Sequence, residues 1–213
     1  MMVDDEYNIV YESYKKRVTP YNIKVYGVDE ACISAGYSYA LAVGEMPEHA
    51  NEHDLERAET LGKAPTGSGE DKFLGFIHVD FDWCLPRYMW QEVDTYHFME
   101  RNSQGTVHRI TKMNIEEMCS PFTSKIDIDN LNLLIGAYKR ASSAERMEIA
   151  WLKIKSNIPE GLMLASRVST NYATLKTIYA QRKNHKNPEW HVFCDWIKTL
   201  PWAKTFGLCR EDK

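Results

Sequence analysis

The segment RNSQGTVHR, residues 101–109, holds the densest group of side chains able to bind an anion or a base. Guanidinium groups give charge-assisted hydrogen bonds to phosphate oxygens, and amide and hydroxyl groups can pair with the edge of a pyrimidine. A helix cap followed by a solvated loop explains this composition equally well, so both interpretations stay open. The candidate residues are Arg101, Asn102, Ser103, Gln104, Thr106, His108 and Arg109.

The stretch TNYATLKTIYAQR predicts a helix with one apolar stripe. Asn171, Leu175, Ile178 and Arg182 recur at the spacing of a single helical face. At 1.5 Å per residue, the two polar ends lie roughly 16 Å apart. The two residues would therefore contact opposite ends of a region formed by a nucleotide site and the site next to it. The alternative is that Arg182 pairs with a carboxylate such as Glu189 at the edge of the protein interior.

The sequence TGSG at residues 66–69 resembles a turn that cradles phosphate, because glycines allow backbone N–H groups to approach an anion. It lacks the Gly-Lys-Ser/Thr ending of a P-loop. Without that ending, a flexible surface loop is the favoured interpretation of these residues alone.

His49 and His53 are spaced for one face of a helix, an arrangement found in metal sites. No third ligand can be identified beside them, and the surrounding residues are charged on all sides. A solvated helix is favoured, and no metal site is predicted.

Capping signals and periodicity indicate the elements that would position these residues. Residues 22–28 predict a strand, Asp29 then caps a helix that reaches Gly44, and residues 45–62 are charged and helical in propensity. Residues 64–71 (APTGSGED) are the clearest loop.

The middle of the chain predicts a strand and a helix. Residues 73–83 (FLGFIHVDFDW) alternate apolar and polar side chains, as a half-buried strand does, and Pro86 ends the strand. Residues 87–101 predict a helix and residues 102–106 a polar turn. The fold class is therefore α+β, with mixed strands followed by a C-terminal half that is helical throughout. Helix starts are indicated by a capping-box pattern at Ser142–Glu145 and by Asn187–Glu189.

Composition excludes several classes of protein. Among 213 residues, 26 Lys and Arg stand against 30 Asp and Glu, so the concentrated basic surface that a nucleic acid polymer requires is not expected. No apolar run approaches the ~20 residues needed to span a bilayer, and the acidic N-terminus is unlike a signal peptide. Five cysteines without a CxxC pair are typical of reduced thiols in the cytoplasm. No linker divides the chain, so residues 1–213 are expected to form a single domain.

Over residues 64–200 the order of these motifs resembles that of the flavin-dependent thymidylate synthases. That family has a strand ending in proline, a helix with an Arg-His-Arg triplet, and a loop reading Ser-x-Asn-Glu-x-Ser-x-Arg. A later helix begins with Asn and carries Arg eleven residues on. Asn171 and Arg182 keep that spacing without a gap, and Asn102 falls on the Asn of the loop.

The sequence is still more similar to a divergent, phage-type branch of this family. Members of the branch carry a Gly-Ser-Gly-His-Asp-x-Phe-Leu loop and a Ser-Gln-Ser-x-x-His-Arg loop. The corresponding segments here are GSGEDKFL at residues 67–74 and SQGTVHR at residues 103–109.

The chain departs from the family where the flavin is held. Counted from Pro86, the Arg-His-Arg triplet falls on Thr95-Tyr96-His97, and the Glu of the loop is Ser103. A site for the flavin diphosphate has therefore lost at least two positive charges. Further departures are Gly105 for the Ser of the loop, Arg109 for its displaced Arg, and Glu70 for the His of the branch; Lys72, Arg87 and Arg101 are the cations that would compensate.

The resemblance implies an enzyme that transfers a one-carbon unit from a folate to a dUMP-like pyrimidine deoxynucleotide, with FAD as cofactor. It implies catalytic roles for His97, Ser103 and Gln104, and an imidazole is a side chain suited to proton transfer. The remaining implied roles are nucleotide binding by Arg101, Asn102, His108, Arg109 and Arg182, and cofactor binding by Ser68, Gly69, Asp71 and Asn171.

Two other functions fit the sequence. The missing arginines favour a nucleotide-binding or regulatory protein that kept the fold and lost catalysis. A structural or interaction protein would instead use rim aromatics for subunit packing, although such residues belong more often to a core. Since the family builds its sites between subunits, the resemblance also implies a homo-oligomer, a tetramer. The rim aromatics in question are Trp90, Trp190, Trp196 and Trp202.

Overall fold

A computed structural model describes residues 2–40, 44 and 46–210 of the chain. Its strands are β1 (Tyr21–Tyr26), β2 (His78–Pro86), β3 (Glu100–Ser103) and β4 (Met163–Asn171). Its α-helices are α1 (Met2–Arg17), α2 (Val28–Ser34), α3 (Glu52–Gly62), α4 (Arg87–Val93), α5 (Ile115–Met118), α6 (Lys125–Lys139), α7 (Ala144–Ser156), α8 (Tyr172–Arg182) and α9 (Pro188–Ile197). Short 3-10 helices lie at Tyr37–Tyr39, Lys72–Phe76 and Ile110–Lys112.

The four strands form one sheet in the order β1-β2-β4-β3, which confirms the α+β class. β1 is antiparallel to β2, with Tyr26 opposite His78 and Lys24 opposite Asp80. Along β2, the apolar side chains are buried and alternate with polar ones that are partly or fully exposed, because successive residues of a strand point to opposite faces. The alternation in the sequence predicted this strand correctly.

The residues pack into two compact units, and β2, β3 and β4 each have residues in both. Unit 1 comprises the chain up to Arg17, Cys84–Thr95 and Ser103–Ser166; unit 2 comprises Val18–Trp83, Tyr96–Asn102 and the chain from Arg167 onward. The expectation of a single domain stays a prediction.

Each unit has its own apolar core. In unit 1, α5, α6 and α7 surround a cluster of aliphatic side chains that includes Ile115, Leu131 and Ile154. In unit 2, the buried face of β2 packs on α9, where the rings of Trp83 and Phe193 stack 4.2 Å apart. Buried aromatic rings supply much of the apolar area that stabilises a fold.

The C-terminal half is not helical throughout, because β4 lies inside the sheet between β2 and β3. The buried positions of its second half alternate at Ser166, Val168 and Thr170. Since two of these are small polar residues, the period of two is weak in hydrophobicity and was missed in the sequence. α8 accordingly begins at Tyr172, two residues later than predicted.

The helix predicted over residues 87–101 ends at Val93. Phe98 has a φ of 57°, which a right-handed helix excludes, and the hydroxyl of Thr170 donates to its carbonyl oxygen at 2.8 Å. The chain then enters β3, so Asn102 and Ser103 lie on a strand rather than in the predicted turn.

Asp29 does not cap α2. Gly27, with a φ of 78°, occupies the N-cap position, and α2 ends at Ser34 rather than reaching Gly44. The carboxylate of Asp29 instead accepts a hydrogen bond of 3.0 Å from the backbone N–H of Ala50. That bond, followed by the contact with His49, holds the pKa of Asp29 below its usual value. Residues 41–43 and 45, within the two predicted helices, lie outside the described residues.

Two further boundaries differ in detail, and a third agrees with the prediction. β2 begins at His78 and not at Phe73, since residues 72–76 form a 3-10 turn. α7 is capped by Ser143, whose hydroxyl accepts from the N–H of Arg146, so the predicted box that starts one residue earlier is wrong. α9 begins as predicted, with Asn187 at the N-cap and proline in the first turn.

Candidate functional site

Arg182, at the last position of α8, is held between two aromatic rings of unit 2. Its Nε donates a 2.7 Å hydrogen bond to the hydroxyl of Tyr96. The guanidinium carbon lies 4.9 Å from the ring centroid of Trp190 and 5.5 Å from that of Tyr96. The Tyr96 hydroxyl in turn donates to Gln181 at 3.0 Å. The result is a half-buried cation with a fixed direction, which suits the binding of an anionic group.

The backbone of His97 lies against the other end of α8. The hydroxyl of Thr174 donates to the carbonyl oxygen of His97 at 3.5 Å, while the His97 side chain is exposed. Asn171 caps the same helix end, since its side-chain oxygen accepts a 2.9 Å hydrogen bond from the N–H of Thr174. Of the predicted site residues, His97 and Asn171 both lie beside Thr174 in the first turn of α8, and Arg182 lies at the opposite end of the helix.

The glycine loop, residues 64–71, borders a cavity of about 810 Å³ in unit 2. Gly69 lines the cavity and has a φ of 87°, whereas Ser68 is exposed and accepts a 3.4 Å hydrogen bond from the N–H of Glu70. Four aromatic side chains that line the cavity, those of Tyr37, Tyr39, Phe73 and Phe76, can stack on a planar ring system, and Lys72 can bind an anion. The other lining residues include Glu30, Ser34 and Ser38.

Asp71 is not among the residues that line this cavity. It is buried, and its carboxylate receives a 2.6 Å hydrogen bond from the ammonium group of Lys176, which is also buried. Lys176 lies in the middle of α8 and was not recognised in the sequence. A lysine within an apolar helical stretch was the available signal.

Ser103, Gln104, His108 and Arg109 belong to unit 1. Gln104 is fixed beside β4, because its N–H donates to the carbonyl oxygen of Ala165 at 2.9 Å. Gln104 and Arg109 border a depression of about 460 Å³ that Lys112 also lines. Lys112 was missed, although it follows Arg109 by three residues in the same polar segment.

His108 faces a different depression from that of Arg109. This second depression, of about 360 Å³, is lined by the rings of Tyr138 and Trp151, together with Glu148. Two neighbouring residues with the same predicted role thus face different depressions, and only that of His108 is lined by α6 and α7.

The cations proposed to replace the missing arginines differ in their surroundings. Lys72 lines the large cavity. Arg87 is bound to the carbonyl oxygen of Ile158 at 2.9 Å and lies 3.6 Å from the carboxylate of Glu160. Arg101 is half-buried on β3, and its neighbour Asn102 is exposed. Of these cations, Lys72 is the one beside the glycine loop.

All five thiols have a pKa raised by burial. Burial raises the pKa of Cys32 and of Cys194 to about 12, and that of Cys209 to about 11. Burial also raises the pKa of Cys84 and of Cys119. A thiol must ionise to attack, so these cysteines are unsuited to covalent catalysis.

Three of the four rim aromatics belong to the interior. Trp90, Trp190 and Trp196 are buried, and Trp202 is 43% exposed. The first three therefore act as core residues, which removes them as candidates for subunit packing.

Within the described residues, no group of three or more His, Cys, Asp or Glu side chains could hold a metal ion. None of the described helices combines the length and apolar character needed to cross a membrane.

No family model matches the sequence, and no curated protein matches it either. Solved structures do resemble it. The flavin-dependent thymidylate synthase ThyX from Helicobacter pylori, complexed with FAD and dUMP, is 15% identical with a TM-score of 0.66, and the match covers 90% of this chain and 100% of that one. A second structure of that enzyme with FAD and dUMP is 13% identical, with the same TM-score of 0.66 and the same coverage of 90% and 100%.

A third similar structure is the UMP/dUMP methylase PolB from Streptomyces cacaoi, bound with 5-Br dUMP. It is 12% identical with a TM-score of 0.57, and the match covers 88% of this chain and 93% of that one. The chain therefore has the fold of the flavin-dependent thymidylate synthases, as the order of its motifs predicted.

Proposed function

We propose that this protein binds a pyrimidine deoxynucleotide of the dUMP type and acts on it as a thymidylate synthase-like transferase. The observation that carries the proposal is the guanidinium of Arg182, held by Tyr96 and Trp190. A cation fixed in this way binds phosphate without first losing side-chain freedom, which favours affinity. The proposal is supported by the ligands of the similar structures, each of which was solved with dUMP or 5-Br dUMP.

Further side chains have proposed roles in the same reaction. Arg182 of unit 2 is proposed to bind the phosphate of the nucleotide. Ser103 and Gln104 of unit 1 keep a proposed catalytic role, which rests on the resemblance alone. The exposed imidazole of His97 transfers a proton. Arg109, joined by Lys112, is a second cationic surface for the phosphate. Arg101 and Asn102 are further proposed nucleotide contacts, whereas His108, which faces the other depression, is not retained as one.

FAD is the proposed cofactor, and a folate is the proposed one-carbon donor. The aromatic lining and the charge of Lys72 support a planar ring system with an anionic group, while the carboxylates of Glu30 and Glu70 also line the cavity. A Cβ at Gly69 would lie 3.6 Å from the side chain of Lys72, so the cation is close to the backbone of the glycine loop. Ser68 and Asn171 are further proposed contacts, and FAD when bound would supply hydride transfer. The protein residues would then bind, orient and exclude water.

A nucleotide-binding protein without catalysis is the second candidate. The observation that favours it is the side chain of Tyr96, which stands where the resemblance has the His of the Arg-His-Arg triplet and is bonded to Arg182. With Thr95 and His97 beside it, the segment supplies no guanidinium group to activate a bound nucleotide. Phosphate binding would survive this change and turnover would not.

The proposed function is tested by calorimetric titration of dUMP into the purified protein and its Arg182→Ala variant. Because a charge-assisted hydrogen bond contributes about 1.5–3 kcal/mol, Arg182→Ala should weaken binding at least about tenfold. Arg146→Ala removes an exposed arginine of α7 and is the matched control. Failure of the wild-type protein to bind dUMP at millimolar concentration would refute the proposal.

Turnover separates the two candidates. The assay contains dUMP, FAD, a reductant and a folate one-carbon donor, and it follows formation of the methylated nucleotide. A transferase should lose turnover in His97→Ala while its affinity for dUMP changes less than about threefold. Binding of dUMP without any turnover in the wild-type protein would favour the second candidate.

A further inference from the structure

Lys176 is a buried ammonium group with three protein acceptors. It is 4% exposed, and its Nζ donates to the carbonyl oxygens of Gly62 at 2.9 Å and Ala64 at 2.7 Å. The third acceptor is the carboxylate of Asp71, at 2.6 Å. Since an ammonium group has three donors, all of its hydrogen-bonding capacity is used inside the protein. Lysine and aspartate side chains are rarely buried unless they are paired, as they are here.

The three acceptors enclose the glycine loop. Gly62 ends α3, Ala64 begins the loop and Asp71 ends it. A single side chain of α8 therefore ties both ends of residues 64–71 to the same point. Gly62 itself packs closely on the C-terminal segment, because a Cβ added there would lie 2.7 Å from the carbonyl oxygen of Phe206.

Asp71 also precedes the 3-10 helix whose residues form one wall of the cavity of about 810 Å³. Its carbonyl oxygen accepts the first hydrogen bond of that turn, from the N–H of Leu74. Lys72, Phe73 and Phe76 all line the cavity. Whatever fixes Asp71 therefore fixes the cation and the rings that a ligand in the cavity would meet.

We infer that Lys176 is a positioning residue, which holds the glycine loop and the wall formed by residues 72–76 in the conformation that binds a planar aromatic ligand with an anionic group. The choice of FAD as the probe for that ligand rests on the proposed function. The placement of the loop by Lys176 does not rest on the proposed function, and amide hydrogen exchange measures it independently.

The neighbouring lysine provides a contrast. Lys63 forms an ion pair with Glu59 within one turn of α3, and both side chains are about half exposed. Exposed pairs of this kind contribute little to stability. Lys63→Met therefore removes a lysine from the same region of the chain without touching the buried contact, which makes it the matched control for Lys176→Met.

The test compares amide hydrogen exchange and FAD titration in wild type, Asp71→Asn, Lys176→Met and Lys63→Met. Asp71→Asn keeps the size and one acceptor oxygen of the residue, so it serves if Lys176→Met fails to fold. Exchange of residues 62–76 should accelerate at least about tenfold in Asp71→Asn and remain unchanged in Lys63→Met. Affinity for FAD should fall at least about tenfold, while affinity for dUMP stays within about twofold.

Two results would overturn the inference. One is unchanged exchange of residues 62–76 in Asp71→Asn; the other is acceleration spread evenly over the chain, which would mean that the pair contributes only to global stability. If the wild-type protein does not bind FAD in this titration, FAD is no longer part of the proposed function. The exchange measurement would still decide the role of Lys176.

Discussion

Arg182 and Tyr96 are separated by 86 residues and are joined by a hydrogen bond of 2.7 Å. The bond makes the direction of the guanidinium depend on a residue from the turn after α4. Tyr96 occupies the middle of the segment that the resemblance aligns with the Arg-His-Arg triplet. The chain thus uses this segment to orient a cation supplied by α8, and it contributes no arginine of its own there.

The first prediction concerns this bond. Tyr96→Phe keeps the ring beside Arg182 and removes the hydroxyl, so it should lower the free energy of unfolding by about 1–3 kcal/mol. Affinity for dUMP should fall about threefold to tenfold, because the guanidinium loses its fixed direction while its charge remains. Urea unfolding and calorimetric titration measure the two effects.

Two further variants control that result. Tyr11→Phe removes a hydroxyl from α1 and should change neither quantity. Arg182→Lys keeps the charge but lacks the planar fork, so it should not restore full affinity. An Arg182→Lys protein that binds dUMP as wild type does would show that charge alone, without orientation by Tyr96, accounts for binding.

The second prediction separates two roles of Asn171. As the N-cap of α8, its side-chain oxygen is bonded to the N–H of Thr174. Asn171→Ala should therefore destabilise the protein by about 1 kcal/mol, whereas Asn171→Ser keeps a capping oxygen and should retain most of the stability. If the amide group also contacts a ligand, Asn171→Ser should still weaken binding of FAD or dUMP at least about tenfold. Wild-type affinity in Asn171→Ser would restrict this residue to capping.

The sequence predicted elements whose signal is local. The alternation through Val79, Phe81 and Trp83 indicated β2, and the Asn-Pro pair at 187–188 indicated α9. The spacing of Asn171 and Arg182 placed them correctly at the two ends of α8. In each case the chemistry that defines the element lies within a few consecutive residues.

What could not be predicted depends on partners far away in the chain. β4 is stabilised by strands on both sides, and its own pattern of small polar residues is not typical of a strand. Lys176 and Asp71 are 105 residues apart. A lysine and an aspartate in a sequence do not indicate a buried ion pair, since both residue types are usually solvated. Long-range ion pairs of this kind become visible only when the fold is known.

The third prediction concerns the pH dependence of stability. Burial raises the pKa of Cys32 and Cys194 from 9.0 to about 12 in the folded protein. Above pH of about 9 the unfolded chain loses these protons and the folded protein keeps them, so the free energy of unfolding falls as pH rises. The slope is at most about 1.4 kcal/mol per pH unit for each thiol.

Urea unfolding at several pH values between about 8 and 10.5 measures this slope. Replacing both cysteines by alanine should reduce it, even though the smaller side chains lower stability at every pH. A slope equal to that of wild type in the double variant would mean that other groups, such as the buried hydroxyl of Tyr172, dominate the alkaline loss.

The fourth prediction is that the protein forms a homo-oligomer, which the resemblance implies as a tetramer. α6 and α7 expose large apolar side chains, among them Leu133 at 67% and Leu152 at 58%. Apolar residues exposed in this number are typical of surfaces that pack against another protein. We propose a second copy of this chain as the partner, and Leu152→Glu should shift the mass towards the monomer in light scattering. Lys153→Glu is the control on the same helix, and a wild-type monomer at high concentration would contradict the prediction.

The fifth prediction distinguishes two neighbouring residues of unit 1. Arg109 and Lys112 line the depression of about 460 Å³, while His108 lines the other one with Trp151. If the phosphate is bound by the first depression, Arg109→Ala and Lys112→Ala should each weaken dUMP binding at least about threefold. Because removal of a cation reduces the electrostatic part of the affinity, both variants should also bind with less dependence on salt.

His108→Ala, which leaves both cations in place, should change the affinity for dUMP less than about twofold. The measurement is a titration of dUMP at low and at physiological ionic strength for the three variants and the wild-type protein. Loss of binding in His108→Ala with wild-type behaviour in Arg109→Ala would reverse the assignment. The base would then stack at Trp151, and a purine nucleotide, with its larger ring, should bind there more tightly than dUMP.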